Sequence, residues 1–246
     1  MKKLSLVIPA YNESKTLEKL IRKVMSVNLP GEMKKEVIII NDCSKDDTLE
    51  IAKRMQRTYR EIKVLSNSRN LGKSQSVRKG ILKTTGSQVI IQDADLEYEP
   101  KEIVELVGLM LAKNLDVVYG NRFGVKNRII YLHYYLGNKF ISFVSNIFTF
   151  PRIHVWIPDV EVCYKLMDGK VARAVAKKIV SKSTFGLEPE ITARLSKYKR
   201  KGRHLLFGVV PISYKARKIS EGKKIRAFRD GFKALGEIII FNVLSR

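Results

Sequence analysis

Asp93-Ala94-Asp95 places two carboxylates one residue apart, directly after an apolar run, Val89-Ile90-Ile91, that reads as a buried strand. With the strand ending near Gln92, both acids stand at its carboxyl end, the edge where open α/β sheets bind ligands. Two hard oxygen donors there suit Mg²⁺ or Mn²⁺, which take carboxylate, water and substrate phosphate as ligands. The triplet alone fits a solvated acidic turn equally well, because so short a pattern is weak. The rest of the chain has to separate the two readings.

Three further polar clusters follow apolar runs in the same way: Tyr11-Asn12-Glu13 after Leu4–Ile8, Asp42 after Val37–Ile40, and Asn70-Leu71-Gly72-Lys73 after Ile62–Leu65. Between these runs lie segments of helical period. The first starts at Ser14 and carries Leu17, Leu20, Ile21 and Val24 on one face. The second has Asp47 as its cap and Glu50 in the capping-box position. The third runs from Ser74 to Lys83, and a fourth, opened by Pro100, carries Ile103, Leu106, Val107 and Met110 before a fifth strand at Asp116–Tyr119. Strand–helix alternation with short connections builds βαβ units and a mostly parallel sheet. All four polar clusters then fall on one sheet edge.

The second half is less regular. Residues Ile129–Phe150 are rich in aromatic and aliphatic side chains and are read as helices fit to lie in a membrane interface or to pack in the core. Asp159–Met167 reads as a loop into a strand, Asp168–Ile179 and Leu187–Tyr198 as helices, His204–Tyr214 as containing a strand, and Ile225–Leu244 as a last helix. Glu188 and Glu190 sit where acids complement a helix dipole. No repeat or Pro/Gly linker appears, so residues 1–246 are read as one domain, the regular part being 1–125 and the less regular part 126–246.

No Gly-x-Gly-x-x-Gly follows the first strand and no Gly-x-x-x-x-Gly-Lys-Ser/Thr occurs, so a nucleotide would be held by side chains and a metal. Tyr11 suits stacking on a base, and Asp42 suits accepting from a base N–H. A metal at Asp95, with Asp93 and Glu97 as further candidate ligands, would neutralise a diphosphate and make it a better leaving group.

The 47 Lys+Arg against 24 Asp+Glu give a net charge of +23, which points to a polyanionic partner: nucleic acid, an anionic membrane surface or phosphorylated substrates. The basic residues are dispersed and no nucleic-acid-binding motif appears, so a nucleic-acid module is the weakest of these. Hydrophobic residues at 45% allow a substantial core. Cys43 and Cys163 lack metal-ligand spacing, imply no disulfide framework, and fit a reducing compartment. The N-terminus shows no signal-peptide pattern and no run approaches the length of a membrane span. A cytoplasmic location is expected.

Leu6-Val-Ile-Pro-Ala-Tyr-Asn-Glu13, Ile40-Asn-Asp-Cys-Ser-Lys-Asp-Asp-Thr48, Asn70-Leu-Gly-Lys73 and Gln92-Asp-Ala-Asp-Leu-Glu97 together resemble glycosyltransferase family 2. Asn121-Arg122-Phe123, Asp159–Lys165, Phe185–Thr192 and Pro211-Ile-Ser-Tyr214 with Arg217 and Glu221–Lys224 are similar to the subgroup of dolichyl- and polyprenyl-phosphate mannose and glucose synthases. The resemblance implies a GT-A fold: a mostly parallel, Rossmann-like sheet flanked by helices, with a C-terminal helical region facing acceptor and membrane. It makes residues 1–125 the donor-side half and 126–246 the acceptor-side half, and the cytoplasmic protein one peripheral to the membrane. It implies donor-nucleotide contacts from Pro9, Ala10, Tyr11, Glu13, Asp42, Lys73, Asp93, Ala94 and Asp95. It implies metal contacts from Asp93, Asp95 and Glu97, and phosphate or acceptor contacts from Arg122, Arg217, Lys223 and Lys224. The implied reaction is inverting transfer of a hexose from a GDP- or UDP-linked donor to a polyprenyl or dolichyl phosphate at the membrane surface, with Asp159, Glu161 and Arg122 as catalytic candidates.

Two departures from the subgroup matter. Glu97 stands where mannose synthases often carry Gln, and Glu161 where they usually carry a small or apolar residue. A phosphate acceptor is already anionic and needs no base, whereas a sugar hydroxyl does, and Glu161 or Asp159 could serve. Transfer to a sugar hydroxyl, in polysaccharide or lipid-linked oligosaccharide assembly, therefore stands as the second reading. The basic residues, and the apolar faces around Phe140–Phe150 and Ile238–Leu244, are expected to hold the protein on an anionic membrane.

Overall fold

A computed structural model describes residues 2–125, 127, 132–182, 186–217 and 227–244. The expected alternation is observed. Strands β1 (Lys3–Ala10), β2 (Lys34–Asn41), β3 (Ile62–Ser66) and β4 (Gln88–Ile91) are joined by helices α1 (Leu17–Ser26), α2 (Thr48–Thr58) and α3 (Lys73–Leu82). Helix α4 (Ile103–Ala112) then leads into β5 (Val117–Asn121). Ile38, Ile39, Ile40, Val89 and Ile90 are fully buried, as continuous apolar strands covered on both faces must be. Helix α1 buries the stripe Leu17, Leu20, Ile21 and Val24 that its period announces.

The start of α2 differs from expectation. Asp47 is the N-cap residue, but its side chain makes no capping bond, and Glu50 pairs with Lys53 at 3.5 Å. The preceding acid takes the role: Asp46 Oδ1 accepts from Thr48 N and its Oδ2 from Ser14 N, each at 3.1 Å. Asp46 thereby ties the start of α2 to the loop after β1, a tertiary gain that a local capping box does not offer.

Among the described residues the main sheet has seven strands in the order β3-β2-β1-β4-β6-β5-β9, with β6 at Lys165–Asp168 and β9 at Phe207–Pro211. Strand β1 pairs in parallel with both β2 and β4, so connections leave it in opposite directions and open a crevice at the carboxyl ends of β1 and β4. The sequence marks β6 as a strand without giving its direction; it runs antiparallel to both β4 and β5. It starts opposite the carboxyl end of β4, so Asp159–Tyr164, which lead into it, lie at the same edge as the crevice. Strand β9 is parallel to β5 and delivers Ile212–Arg217 to that edge as well.

Helix α6 (Gly169–Lys178) is capped by Asp168, whose Oδ1 accepts from Lys170 N at 2.9 Å and Val171 N at 3.2 Å. Helix α7 (Leu187–Lys197) precedes a small hairpin, β7 (Lys199–Arg200) with β8 (Arg203–His204). Helix α8 (Ala227–Ile239) continues as a π-helical turn, Ile240–Leu244.

Helix α5 (Leu132–Ile153) buries a largely polar face and exposes an apolar one. Its buried face carries the polar Ser142, Ser145, Asn146 and Thr149 beside Ile141 and Ile153. Asn146 exchanges hydrogen bonds with the Ile157 backbone at 2.7 and 2.9 Å, and Ser142 Oγ accepts from Val160 N at 3.0 Å. Its exposed face carries Leu132, Leu136, Phe140, Phe143, Ile147 and Phe150, between 43% and 61% accessible. Ile239, Ile240, Val243 and Leu244 are exposed on the neighbouring C-terminal helix. Among the described residues no helix is long and apolar enough to cross a membrane.

Candidate active site

The strand ends that form the crevice are bent by uncommon backbone conformations. Asn12 after β1, Cys43 after β2 and Leu96 after β4 all have positive φ, between 56° and 62°. Side-chain-bearing residues hold such angles only where the surroundings impose them, and functional sites are where they gather. The turn at Leu96 lets Glu97 N donate to Asp95 Oδ1 at 3.1 Å, folding the acidic segment back on itself.

Asp42 is buried and organises the loop after β3. Its Oδ1 accepts from Asn67 Nδ2 at 2.8 Å and Leu71 N at 2.9 Å, and its Oδ2 from Gly72 N at 2.8 Å. These bonds occupy most of what one carboxylate can accept, so the expected base contact has one lone-pair direction left. Gly72 adopts φ +83°, which presents its amide to Asp42 at a cost only glycine avoids. Pro9 and Ala10 pair with Ile40 and Asn41, Ala94 is buried, and Tyr11 is partly buried at the end of β1.

Helix α3 starts at Lys73 and lies close on the sheet: a Cβ on Gly80 would meet Val7 Cγ1 and Ile40 Cδ1 at 2.5 Å. This seating brings Lys73 Nζ to 2.9 Å from Asp93 Oδ1 and 2.9 Å from Glu188 Oε1. Burial opposes the charge on Lys73, but Asp93 and then Glu188 outweigh it and hold the ammonium well above the usual lysine range. Glu188, read from sequence as a helix-dipole complement, is thus a member of the site. Its sequence signal was its place at the start of α7, yet nothing local could pair it with a residue 115 positions away.

Arg217 crosses the opposite side of the crevice. Its Nη2 is 3.0 Å from Asp95 Oδ2, its Nη1 3.6 Å from Glu13 Oε1 and its Nε 3.6 Å from Glu97 Oε1. Glu97 also accepts from Tyr214 Oη at 2.5 Å and from Arg217 N at 2.8 Å. Burial, then Asp93 and Glu97, push the Asp95 carboxyl up to about 7, against the pull of Arg217. Lys223 and Lys224 lie outside the described residues.

Among the described residues no three His, Cys, Asp or Glu side chains converge as a metal cage. The expected trio is divided: Asp93 faces Lys73, Glu97 faces Tyr214 and the Arg217 amide, and Asp95 faces Arg217. The donor set still fits a hard divalent cation. Such ions bind through one or two carboxylates plus substrate phosphates and keep several waters, and burial, with Asp93 and Glu97 beside it, disfavours a bare charge on Asp95 that a cation would relieve.

Arg122 and Asp159 form the third part. Arg122 Nε and Nη2 each lie 2.7 Å from an oxygen of the fully buried Asp159, and the Arg122 amide adds a bond of 3.1 Å. The guanidinium sits 4.9 Å from the Tyr214 ring centroid. Glu161, two residues on, has an Oε1 that is buried without a hydrogen-bond partner. Burial, and next the charge of Glu188, raise its carboxyl to about 8 in spite of Lys165 and Arg122. Lys165 is buried, bonded to the Val162 carbonyl and 5.2 Å from the Tyr119 ring centroid, and burial lowers its pKa. Cys163 is buried with its Sγ on the Ile91 carbonyl at 3.4 Å, while Cys43 is partly exposed; both are free thiols.

A surface depression of about 620 Å³ along α1, lined by Lys15, Glu18, Lys19, Arg22 and Lys23, contains none of these residues and reads as a solvated helix face. The crevice, by contrast, gathers Glu13, Asp93, Asp95 and Glu97 with Lys73, Arg122 and Arg217. That set can hold a divalent cation with a diphosphate and present a second phosphate to it.

Residues 5–173 match the model of glycosyl transferase family 2. An uncharacterized glycosyltransferase of Synechocystis sp. is 32% identical over 182 residues, 74% of this chain and 55% of that protein. A dolichyl-phosphate beta-glucosyltransferase of Trichomonas vaginalis is 34% identical over 128 residues, 48% of this chain and 40% of that protein. The chain therefore spans about half the length of these relatives or less. In fold it is similar to glucosyl-3-phosphoglycerate synthase of Mycobacterium tuberculosis, solved with Mn²⁺, UDP and phosphoglyceric acid, with a TM-score of 0.68 over 98% of this chain and 79% of that one at 16% identity. The α/β architecture is the GT-A fold, and the chain belongs to glycosyl transferase family 2.

Proposed function

We propose that this chain transfers a hexose from a UDP- or GDP-linked donor to a polyprenyl or dolichyl phosphate, with inversion, on the cytoplasmic face of an anionic membrane. The observation that carries the reading is an arginine fixed in the crevice by a buried carboxylate, Arg122 on Asp159, together with the exposed apolar face of helix α5 in one chain. An apolar stripe exposed along one helix, with Ile239, Ile240, Val243 and Leu244 exposed on its neighbour, suits a lipid interface. The name of the Trichomonas relative, and the Mn²⁺ and UDP in the Mycobacterium structure, support the acceptor and the donor chemistry.

In this reading Asp95, with Asp93 and Glu97 nearby, would hold Mg²⁺ or Mn²⁺, which supplies charge neutralisation of the departing diphosphate. Lys73 and Arg217 add positive charge beside the same diphosphate. Arg122, oriented by Asp159, holds the acceptor phosphate. An acceptor oxygen attacks the anomeric carbon as the bond to the diphosphate breaks, and the nucleoside diphosphate leaves with the bonding pair. The acceptor is anionic from the outset, so no side chain has to remove a proton.

Glu161 favours one competing reading, transfer to a sugar hydroxyl. Its unpartnered oxygen and raised carboxyl suit a general base, whereas Asp159 has both oxygens committed to Arg122. Incubation with UDP- and GDP-hexoses, Mn²⁺ or Mg²⁺ and polyprenyl phosphate, with products analysed by mass, tests the choice. A sugar-phosphate-lipid is expected. A product joined only by a sugar–sugar bond would establish the competing reading.

A further inference from the structure

Each carboxylate suggested for the metal already faces a cation or donor of this chain. Asp93 is held by Lys73 at 2.9 Å. Glu97 accepts from Tyr214 Oη at 2.5 Å and from the Arg217 amide at 2.8 Å. Asp95 is 3.0 Å from Arg217 Nη2. Arg217 also reaches Glu13 from its other terminal nitrogen, at 3.6 Å. One guanidinium thus stands among Glu13, Asp95 and Glu97, at the place where a divalent cation would be wanted.

The contact is strained in one respect. Arg217 Nε is buried and makes no hydrogen bond, because 3.6 Å to Glu97 is too long for one. A buried donor left unsatisfied weakens the arrangement that contains it. The guanidinium is therefore well placed by charge and poorly placed by hydrogen bonding, the combination expected of a contact made to be exchanged. A diphosphate offers it better partners, since arginine binds phosphate oxygens through two parallel N–H bonds.

We propose that Arg217 is an internal counter-cation that keeps a free divalent ion off Asp95 and moves onto the donor diphosphate when metal and nucleotide arrive together. The consequence is coupled loading. Metal alone must take Asp95 from the guanidinium, leaving it only the longer contacts to Glu13 and Glu97. Metal with nucleoside diphosphate brings the anion that receives it. By linkage, nucleotide must raise metal affinity by the same factor as metal raises nucleotide affinity. Arg217 acts here as a positioning residue, and its role rests on the metal-dependent reading above.

The test measures Mn²⁺ binding by the loss of the free-ion EPR signal, with and without UDP or GDP, for the wild type, Arg217→Met and Arg217→Lys. In the wild type, nucleoside diphosphate is expected to tighten Mn²⁺ binding by on the order of tenfold or more. In Arg217→Met, Mn²⁺ alone is expected to bind on the order of tenfold more tightly than to the wild type, and the gain from nucleotide is expected to shrink. Arg217→Lys, which keeps the charge but loses the fork, is expected to fall between them. Circular dichroism confirms that each variant is folded. Equal binding of Mn²⁺ alone to the wild type and Arg217→Met, with only nucleotide affinity reduced, would leave Arg217 as a plain phosphate ligand and overturn the proposal. So would wild-type protein that binds Mn²⁺ as tightly without nucleotide as with it, a result that needs no variant. Absence of Mn²⁺ binding in the presence of either nucleotide would instead overturn the metal-dependent reading, and the coupling with it.

Discussion

Arg122 and Asp159 meet as a two-pronged ion pair, with Nε and Nη2 each 2.7 Å from a separate carboxylate oxygen of a side chain that has no solvent exposure. Asp159 thereby sets the plane and direction of the guanidinium, and the Tyr214 ring flanks it. Breaking a buried pair leaves one charge without a partner, which costs about 3 kcal/mol or more. Asp159→Asn is expected to lower unfolding free energy by about that amount. The same variant is expected to reduce kcat/KM for the lipid acceptor much more than donor affinity. Urea unfolding and isothermal donor titration check the two parts separately, and unchanged acceptor kinetics would remove Asp159 from the acceptor side.

The acceptor question has a pH signature. Glu161, raised to about 8 chiefly by burial, is protonated below that pH and becomes a base above it. If the acceptor is a sugar hydroxyl, turnover climbs as pH rises through about 8, and Glu161→Gln loses roughly 10²-fold together with that limb. If the acceptor is a phosphate, the variant keeps near-normal turnover and the limb is absent. The profile should be taken at saturating Mn²⁺, because a bound cation keeps Asp95 ionised and removes its own titration from the measurement.

Helix α5 makes a prediction about lipid. The wild type is expected to float with anionic liposomes and to be released by salt, since surface lysines and arginines act within a Debye length. Phe140→Asp with Phe143→Asp should weaken binding on the order of a hundredfold. These side chains are 56% and 51% exposed, so the circular dichroism spectrum is expected to stay unchanged. Equal recovery with neutral and anionic liposomes, or none with either, would count against a membrane role for this face.

At the opposite edge of the sheet, Glu36 provides an acid-stability test. Burial would raise its carboxyl, but Ser5 Oγ at 2.6 Å, Thr85 N at 2.8 Å and Lys63 Nζ at 3.0 Å outweigh it and hold it at about 2, below the ordinary 4.5. A depressed carboxylate contributes stability above its unfolded pKa and loses it as pH falls through the folded one. Glu36→Gln is therefore expected to cost on the order of 2 kcal/mol at pH 7 and to show a flatter loss of stability between about pH 4.5 and 2. Thermal unfolding across that range would show whether the two curves converge.

The first half of the chain was legible because its signals are local. Apolar runs of strand length, the α1 stripe from Leu17 to Val24, and polar residues placed directly after each strand are properties of neighbours along the sequence. Once parallel pairing follows from βαβ alternation, Glu13, Asp42, Lys73 and Asp93–Glu97 must share an edge. The family motifs needed no more than that, and the match over residues 5–173 agrees with them.

What the residues then do with one another was decided by packing. Asp42 binds the backbone of Leu71 and Gly72, and Lys73 is shared between Asp93 and Glu188. Strand β6 enters antiparallel and carries Asp159 and Glu161 to the crevice, because its approach depends on the crossover before it rather than on its own residues. Helix α5 shows the same limit most plainly. Its sequence announces an apolar stripe, but which side of a helix meets protein is set by Asn146 and Ser142 bonding the backbone of Ile157 and Val160. Composition and spacing fixed which chemistry the edge can hold. Only the three-dimensional meeting of distant side chains decided that Arg217 stands among three of its carboxylates, because a charge pair between residues 122 positions apart leaves no trace in local sequence.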